Sequence, residues 1–186
     1  MGVLALTTNF VNASSPKATI KKEGWSCPPR GFVKLNIDAS FDHDMLRGTM
    51  GTVLRDDKGR FIAGGNGKID YCADVLMAEA FALKFGLTLA QRAGCNRLII
   101  NSDNLEVIYT MQDGGQSAGA AAAIFDDCFH YACDFNITRF EHCNREEVAH
   151  ELAKLARFSL TSVWFEEPVD EIVMILMNNV LLISNE

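Results

Sequence analysis

Phe32-Val33-Lys34-Leu35-Asn36-Ile37-Asp38 is the stretch that decides how this chain folds. Its side chains alternate. Val33, Leu35 and Ile37 fall on one face of an extended strand, and Lys34, Asn36 and Asp38 fall on the other. An acid at the end of such a run has an ordinary explanation as an edge or turn residue, because Asp42 and Asp44 follow closely. Taken alone, Asp38 carries no chemistry. Two further acids change that.

Downstream of a first strand over 32–40, further strand patterns run over 47–55 and 60–69. They flank Asp56-Asp57-Lys58-Gly59, a hairpin turn signal. From Val75 to Ala93 the apolar spacing becomes helical, with Gly94 as its stop. Glu79 falls on the buried stripe of that helix, in line with Cys72, Leu76, Leu83, Gly86 and Ala90. A carboxylate there is costly unless it is paired or bound to a metal. Its structural alternatives are a buried pair with an arginine, or a favourable place in the helix's first turn.

Asp103 is the third acid. It follows the short buried strand Leu98 to Asn101 directly, where mixed α/β sheets gather ligands at strand ends. It also suits an N-cap for the next helix, with Ser102 competing for that task. Helices are expected over 104–112 and 118–134, a strand from Asn136 to His142, a helix from Glu146 to Ser159 and a last helix from Pro168 to Leu176. The order β-β-β-α-β-α-α-β-α implies an antiparallel meander passing into βαβ units, hence a mixed sheet with helices on its faces. Asp38, Glu79 and Asp103 each end or line a different element of that plan. Together they form a candidate site for a divalent cation.

With 186 residues, 48% hydrophobic, the chain is long enough for one domain with a real core. Three regions are expected: a loose lead-in over 1–23, the main domain over 24–163, and a C-terminal extension over 164–186 with a short docking helix. The net charge of −7 argues against a generally basic, phosphate-gripping surface. The six cysteines form no C-x2-C pair, so a zinc site is not expected. Reduced thiols in an intracellular setting, cytoplasm or nucleus, are the natural expectation. The apolar tail from Ile172 to Ile183 is too short to span a bilayer, so no membrane partner is expected.

Weaker candidates have plainer explanations. His130, His142 and His150 are able to bind metal or move protons, but lone histidines are more often surface or core residues. His150 shares a helical phase with Lys154 and Arg157, off the Val148/Leu152/Leu155 stripe. Arg145-Glu146-Glu147 reads as a solvated first turn, and Trp25 and Trp164 as packing anchors. Gly64-Gly65-Asn66-Gly67 lies in a strand pattern, which is the wrong context for a phosphate loop.

These segments, in order, resemble a known family. They are Trp25 to Pro29 with Val33 to Ser40; Gly51 to Asp56 with Gly59-Arg60-Phe61; Ala78-Glu79-Ala80-Phe81-Ala82-Leu83; Asn101-Ser102-Asp103-Asn104-Leu105-Glu106-Val107; and His142 to Glu146 with Val148-Ala149-His150-Glu151-Leu152-Ala153. The set is similar to the plant RNase H-like proteins related to the RNase H domain of non-LTR retrotransposon reverse transcriptases. The resemblance covers about residues 24–180. It implies an α/β RNase H-like fold with a five-stranded mixed sheet, order 3-2-1-4-5, flanked by helices.

The resemblance also implies that Asp38, Glu79 and Asp103 hold two Mg²⁺ (or Mn²⁺) ions, and that the partner is an RNA/DNA hybrid or other nucleic acid whose RNA strand is cut. His150 falls where the wider family has a fourth acid. Imidazole is a poor Mg²⁺ ligand, so its implied role is proton transfer or product release. The run Arg145-Glu146-Glu147-Val148 is two residues shorter than the family pattern, which shifts the start of the last core helix. The alternatives are a non-catalytic module that keeps the fold and binds nucleic acid or protein, and a DEDD-type exonuclease.

Overall fold

A computed structural model describes residues 25–144 and 146–183, with side chains as far as 178. The lead-in expected over 1–23, and Arg145, lie outside the described residues. The elements are β1 (Val33–Asp42), β2 (Arg47–Arg55), β3 (Phe61–Ile69), α1 (Val75–Arg92), β4 (Arg97–Ser102), α2 (Leu105–Gln112), α3 (Ala122–Cys133), β5 (Ile137–His142), α4 (Glu147–Leu155), β6 (Ser162–Phe165) and α5 (Asp170–Ile183).

The sheet runs β5-β4-β1-β2-β3-β6. β1 pairs antiparallel with β2 and parallel with β4, and β2 pairs antiparallel with β3. The expected order 3-2-1-4-5 therefore holds for the first five strands. β6 is an addition at the β3 edge, where Ala63 to Asn66 pair with Phe165 to Ser162. Ser162-Val163-Trp164-Phe165 is too short a run to declare itself in sequence, and it gains its hydrogen bonds only from an edge that β3 leaves open. Glu166, at φ 65°, turns the chain off that edge.

β1 is held between two helices, and a glycine seats each of them. On the face of Leu35 and Ile37, α1 comes so near that a methyl group at Gly86 would meet Leu35 at 2.9 Å. On the face of Asp38, α4 lies against Gly51, where a Cβ would run into the backbone of Ala149 and Ala153. Leu35, Leu83, Leu87, Leu98, Ile100 and Phe125 are completely buried in the first core. Each contributes on the order of 1.5–3 kcal/mol by leaving water. Val53, Val148, Leu152, Ile172 and Leu176 make a second core, through which α5 docks on α4 and β2.

Three helix boundaries differ from expectation by more than two residues; one is the end of α4, which comes at Leu155 and not at Ser159. α3 begins at Ala122 and not at 118, because Gly119 takes φ +106°, outside helical backbone. The last helix runs on to Ile183, past Leu176. All six cysteines are free thiols.

Candidate metal centre

Each acid of the candidate site is delivered by a separate element. Asp38 sits in β1 beside Gly51 of β2, and it is buried on the α4 face of the sheet. Glu79 is in the second turn of α1, a helix started by Asp74, whose side chain accepts the Met77 N–H at 2.7 Å. Asp103 follows the last residue of β4. One carboxylate oxygen from each of the three lies within 4.8 Å of the others. Asp38 and Glu79 are buried, and Asp103 is solvent-accessible at the mouth.

Competing roles for these acids are filled by other residues. The cap of α2 is Asn104, which accepts the Glu106 and Val107 N–H groups, while Ser102 Oγ accepts the Asn104 N–H. Asp103 is thereby left out of the capping that its position suggested. Among the described residues Glu79 has no arginine partner, and its Oε2 is buried without a hydrogen bond. Burial, then the charges of Asp38 and Asp103, push its carboxyl up to about 8, although it accepts the Ala39 N–H. A buried carboxylate oxygen that faces two other acids fits a cation as its partner. Three hard oxygen donors at this spacing suit a hard divalent cation and no soft metal.

His150 stands beside the trio. Its Nδ1 lies 2.9 Å from Asp38 Oδ2, and its side chain is partly exposed at the rim. Since a carboxylate only accepts, Nδ1 carries the proton and donates it, which leaves Nε2 as the basic nitrogen of the neutral ring. His142, at the end of β5, places Nε2 3.2 Å from the Asp103 carbonyl. His130 is remote from the site, bonded within α3 to the Asp126 carbonyl.

The expectation of a solvated turn at Glu146 is corrected. Glu146 is buried, and it is the N-cap of α4. One of its oxygens accepts the Ala149 N–H at 2.7 Å, and the other binds the guanidinium of fully buried Arg55 at 2.5 Å. Trp25 covers this pair. The Arg55 guanidinium carbon lies 3.7 Å from the centre of the Trp25 ring, and the indole N–H donates to Asn36 Oδ1 at 3.0 Å. Arg55 was not visible as a functional residue. Its only sequence signal was a charge closing the apolar run Val53-Leu54, on the same strand face as Gly51. The shortened turn is thus accommodated: α4 starts at Glu147, and His150 still reaches Asp38.

The model of the reverse transcriptase-like family matches residues 36–156. No curated protein sequence matches the chain. Among solved structures, the RNase H1 of the halophilic archaeon Halobacterium salinarum NRC-1 superposes with a TM-score of 0.62 at 22% identity, covering 69% of this chain and 98% of that one. The N-terminal RNase H domain of rv2228c from Mycobacterium tuberculosis gives 0.62 at 20% identity, over 67% and 98%. LC11-RNase H1, solved in complex with an RNA/DNA hybrid, gives 0.60 at 20% identity, over 67% and 95%. These likenesses establish the fold, an α/β fold of the RNase H type.

Proposed function

This chain belongs to the reverse transcriptase-like family, and from that footing we propose that it is a metal-dependent endonuclease that hydrolyses the RNA strand of RNA/DNA hybrids. A single observation carries the proposal. Three carboxylates from three elements converge within 4.8 Å, and one of them keeps a buried oxygen without a donor among the described residues. A purely structural cluster would instead be paired with cations of the protein.

Asp38, Glu79 and Asp103 would hold the metal through their carboxylate oxygens. A bound pair of hard cations supplies activation of the attacking water and neutralisation of charge on the leaving 3′ oxygen. The rest of the chemistry falls to the chain. Glu79, whose carboxyl burial and the two neighbouring acids raise to about 8, would hold the metal as its carboxylate. His150 donates Nδ1–H to Asp38 and so orients that carboxylate, while its Nε2 is available to take a proton at the rim. Recognition of a hybrid rests on phosphates, ribose 2′-OH groups and groove shape, with little reading of bases. LC11-RNase H1, which shares the fold, was solved with such a hybrid.

One observation favours a second function, a non-catalytic module that binds nucleic acid or protein. The position that resembles a fourth metal-binding acid holds an imidazole already bonded to Asp38. Labelled hybrid incubated with the protein and Mg²⁺ or Mn²⁺, and then with EDTA, separates the two. Cleavage that disappears with the chelator supports the nuclease. Metal-independent binding with no cleavage supports the module.

A further inference from the structure

The α4 face of the sheet does not end at Asp38. Ser40, two residues further along β1, lies about 7 Å beyond it on the same face. Ser40 pairs with Thr49 of β2, and Thr49 pairs with Lys68 of β3. One rung of the sheet therefore presents two hydroxyls and an ammonium side by side. On the next rung Asp42 pairs with Arg47. Arg157, just beyond α4, reaches down to this rung and donates from Nη2 to Ser40 Oγ at 2.6 Å. These residues bound a groove of about 580 Å³.

The charge of this groove departs from that of the chain. Three cations, Arg47, Lys68 and Arg157, face two acids, Asp42 and Asp70, in a protein whose net charge is −7. Asp42 is occupied, since its Oδ1 accepts the Asp44 and Met45 N–H groups of the hairpin turn. Thr49 Oγ1, in the floor, has no hydrogen-bond partner among the described residues. Lys68 is exposed, and its ammonium makes no hydrogen bond among the described residues. Cations on separate strands with hydroxyls between them suit a ligand that carries charge at intervals and oxygens throughout.

We propose that this groove binds the phosphodiester backbone of the nucleic-acid strand that crosses the carboxylate site, beginning about two nucleotides of rise from Asp38. The proposal rests on the carboxylates facing nucleic acid, and it names where an acidic chain finds its hold on a polyanion. Arg47, Lys68 and Arg157 are positioning residues. They set the strand's register on Asp38, Glu79 and Asp103 and touch no reacting atom.

The test is fluorescence anisotropy of a labelled RNA/DNA hybrid across a salt series, with Ca²⁺ in place of Mg²⁺ so that binding is read without turnover. Arg47→Ala, Lys68→Ala and Arg157→Ala should each weaken binding several-fold at about 100 mM salt, and each should lower the slope of log K against log salt by about 0.9. Lys68→Ala removes a charge without breaking a contact, so it guards against a folding artefact. Arg30→Ala and Lys58→Ala, exposed at the opposite end of the sheet, should leave the slope unchanged. A triple variant with the affinity and slope of the wild type overturns the groove while leaving the nuclease standing, provided the wild type cleaves. A wild type that never cleaves, yet loses salt-dependent binding in the triple variant, supports the groove and removes the nuclease. A wild type that binds no hybrid overturns both.

Discussion

The guanidinium of Arg55 lies 2.5 Å from the carboxylate of Glu146, 91 residues away in sequence, and both are buried. Because the second oxygen of Glu146 caps α4, this one pair ties the end of β2 to the start of the helix that carries His150. The placement of His150 against Asp38 thus depends on Arg55, which bonds to neither, acting through Glu146, whose carbonyl also accepts the His150 N–H at 3.1 Å.

Breaking the pair from one side leaves a buried charge alone. Arg55→Met should cost about 3–5 kcal/mol in urea denaturation. Adding Glu146→Gln to it should recover part of that loss, since the amide carries no charge and still caps Ala149. Strict additivity of the two losses would mean that the pair is not coupled.

Glu79 gives the metal-free protein an unusual pH dependence. Its carboxyl is raised to about 8 in the fold, against the usual carboxylate range when unfolded. Between those values the folded state holds a proton that the unfolded state has lost, so stability falls as pH rises. The melting temperature in EDTA should decline from about pH 5 to pH 8. Glu79→Gln should flatten that decline, and Mg²⁺ should oppose it in the wild type. A profile that rises over this window would contradict the burial of an unpaired Glu79.

Asp103→Asn should abolish hybrid cleavage and leave the fold intact, or slightly raise the metal-free melting temperature, because Asn104 does the capping. Asn104→Ala should do the reverse, costing about 1 kcal/mol of stability while cleavage persists. Equal destabilisation by both variants would return Asp103 to a structural role.

His150→Asp places a hard oxygen where imidazole now binds Asp38. It should tighten Mg²⁺ binding, read as a lower Mg²⁺ concentration for half-maximal cleavage or for thermal stabilisation. An unchanged titration would confine metal binding to the other three acids.

The strand alternation through Asp38, the helical stripe through Glu79 and the run before Asp103 were legible because periodicity reports which face a residue takes. Those three placements were enough to bring the acids together. Glu146 was misread because its local signal, an acid in a first helical turn, is the same whether the turn faces solvent or a buried arginine from β2. β6 stayed hidden for a related reason. Four residues carry little periodicity, and the hydrogen bonds that define them belong to β3. The basic groove was also invisible, since Ser40, Thr49, Lys68 and Arg157 become neighbours only through strand register. Each miss is a long-range partnership that local sequence does not encode.

The measurement that bears most directly on the central claim is cleavage of a labelled RNA/DNA hybrid by the wild type and by Asp103→Asn, each with Mg²⁺ and with EDTA. The carboxylate site predicts cutting of the RNA strand by the wild type with Mg²⁺ alone, and none in the other three reactions. Intact hybrid with either Mg²⁺ or Mn²⁺ at an excess of bound wild-type protein, or cutting that survives EDTA or the loss of Asp103, would contradict it.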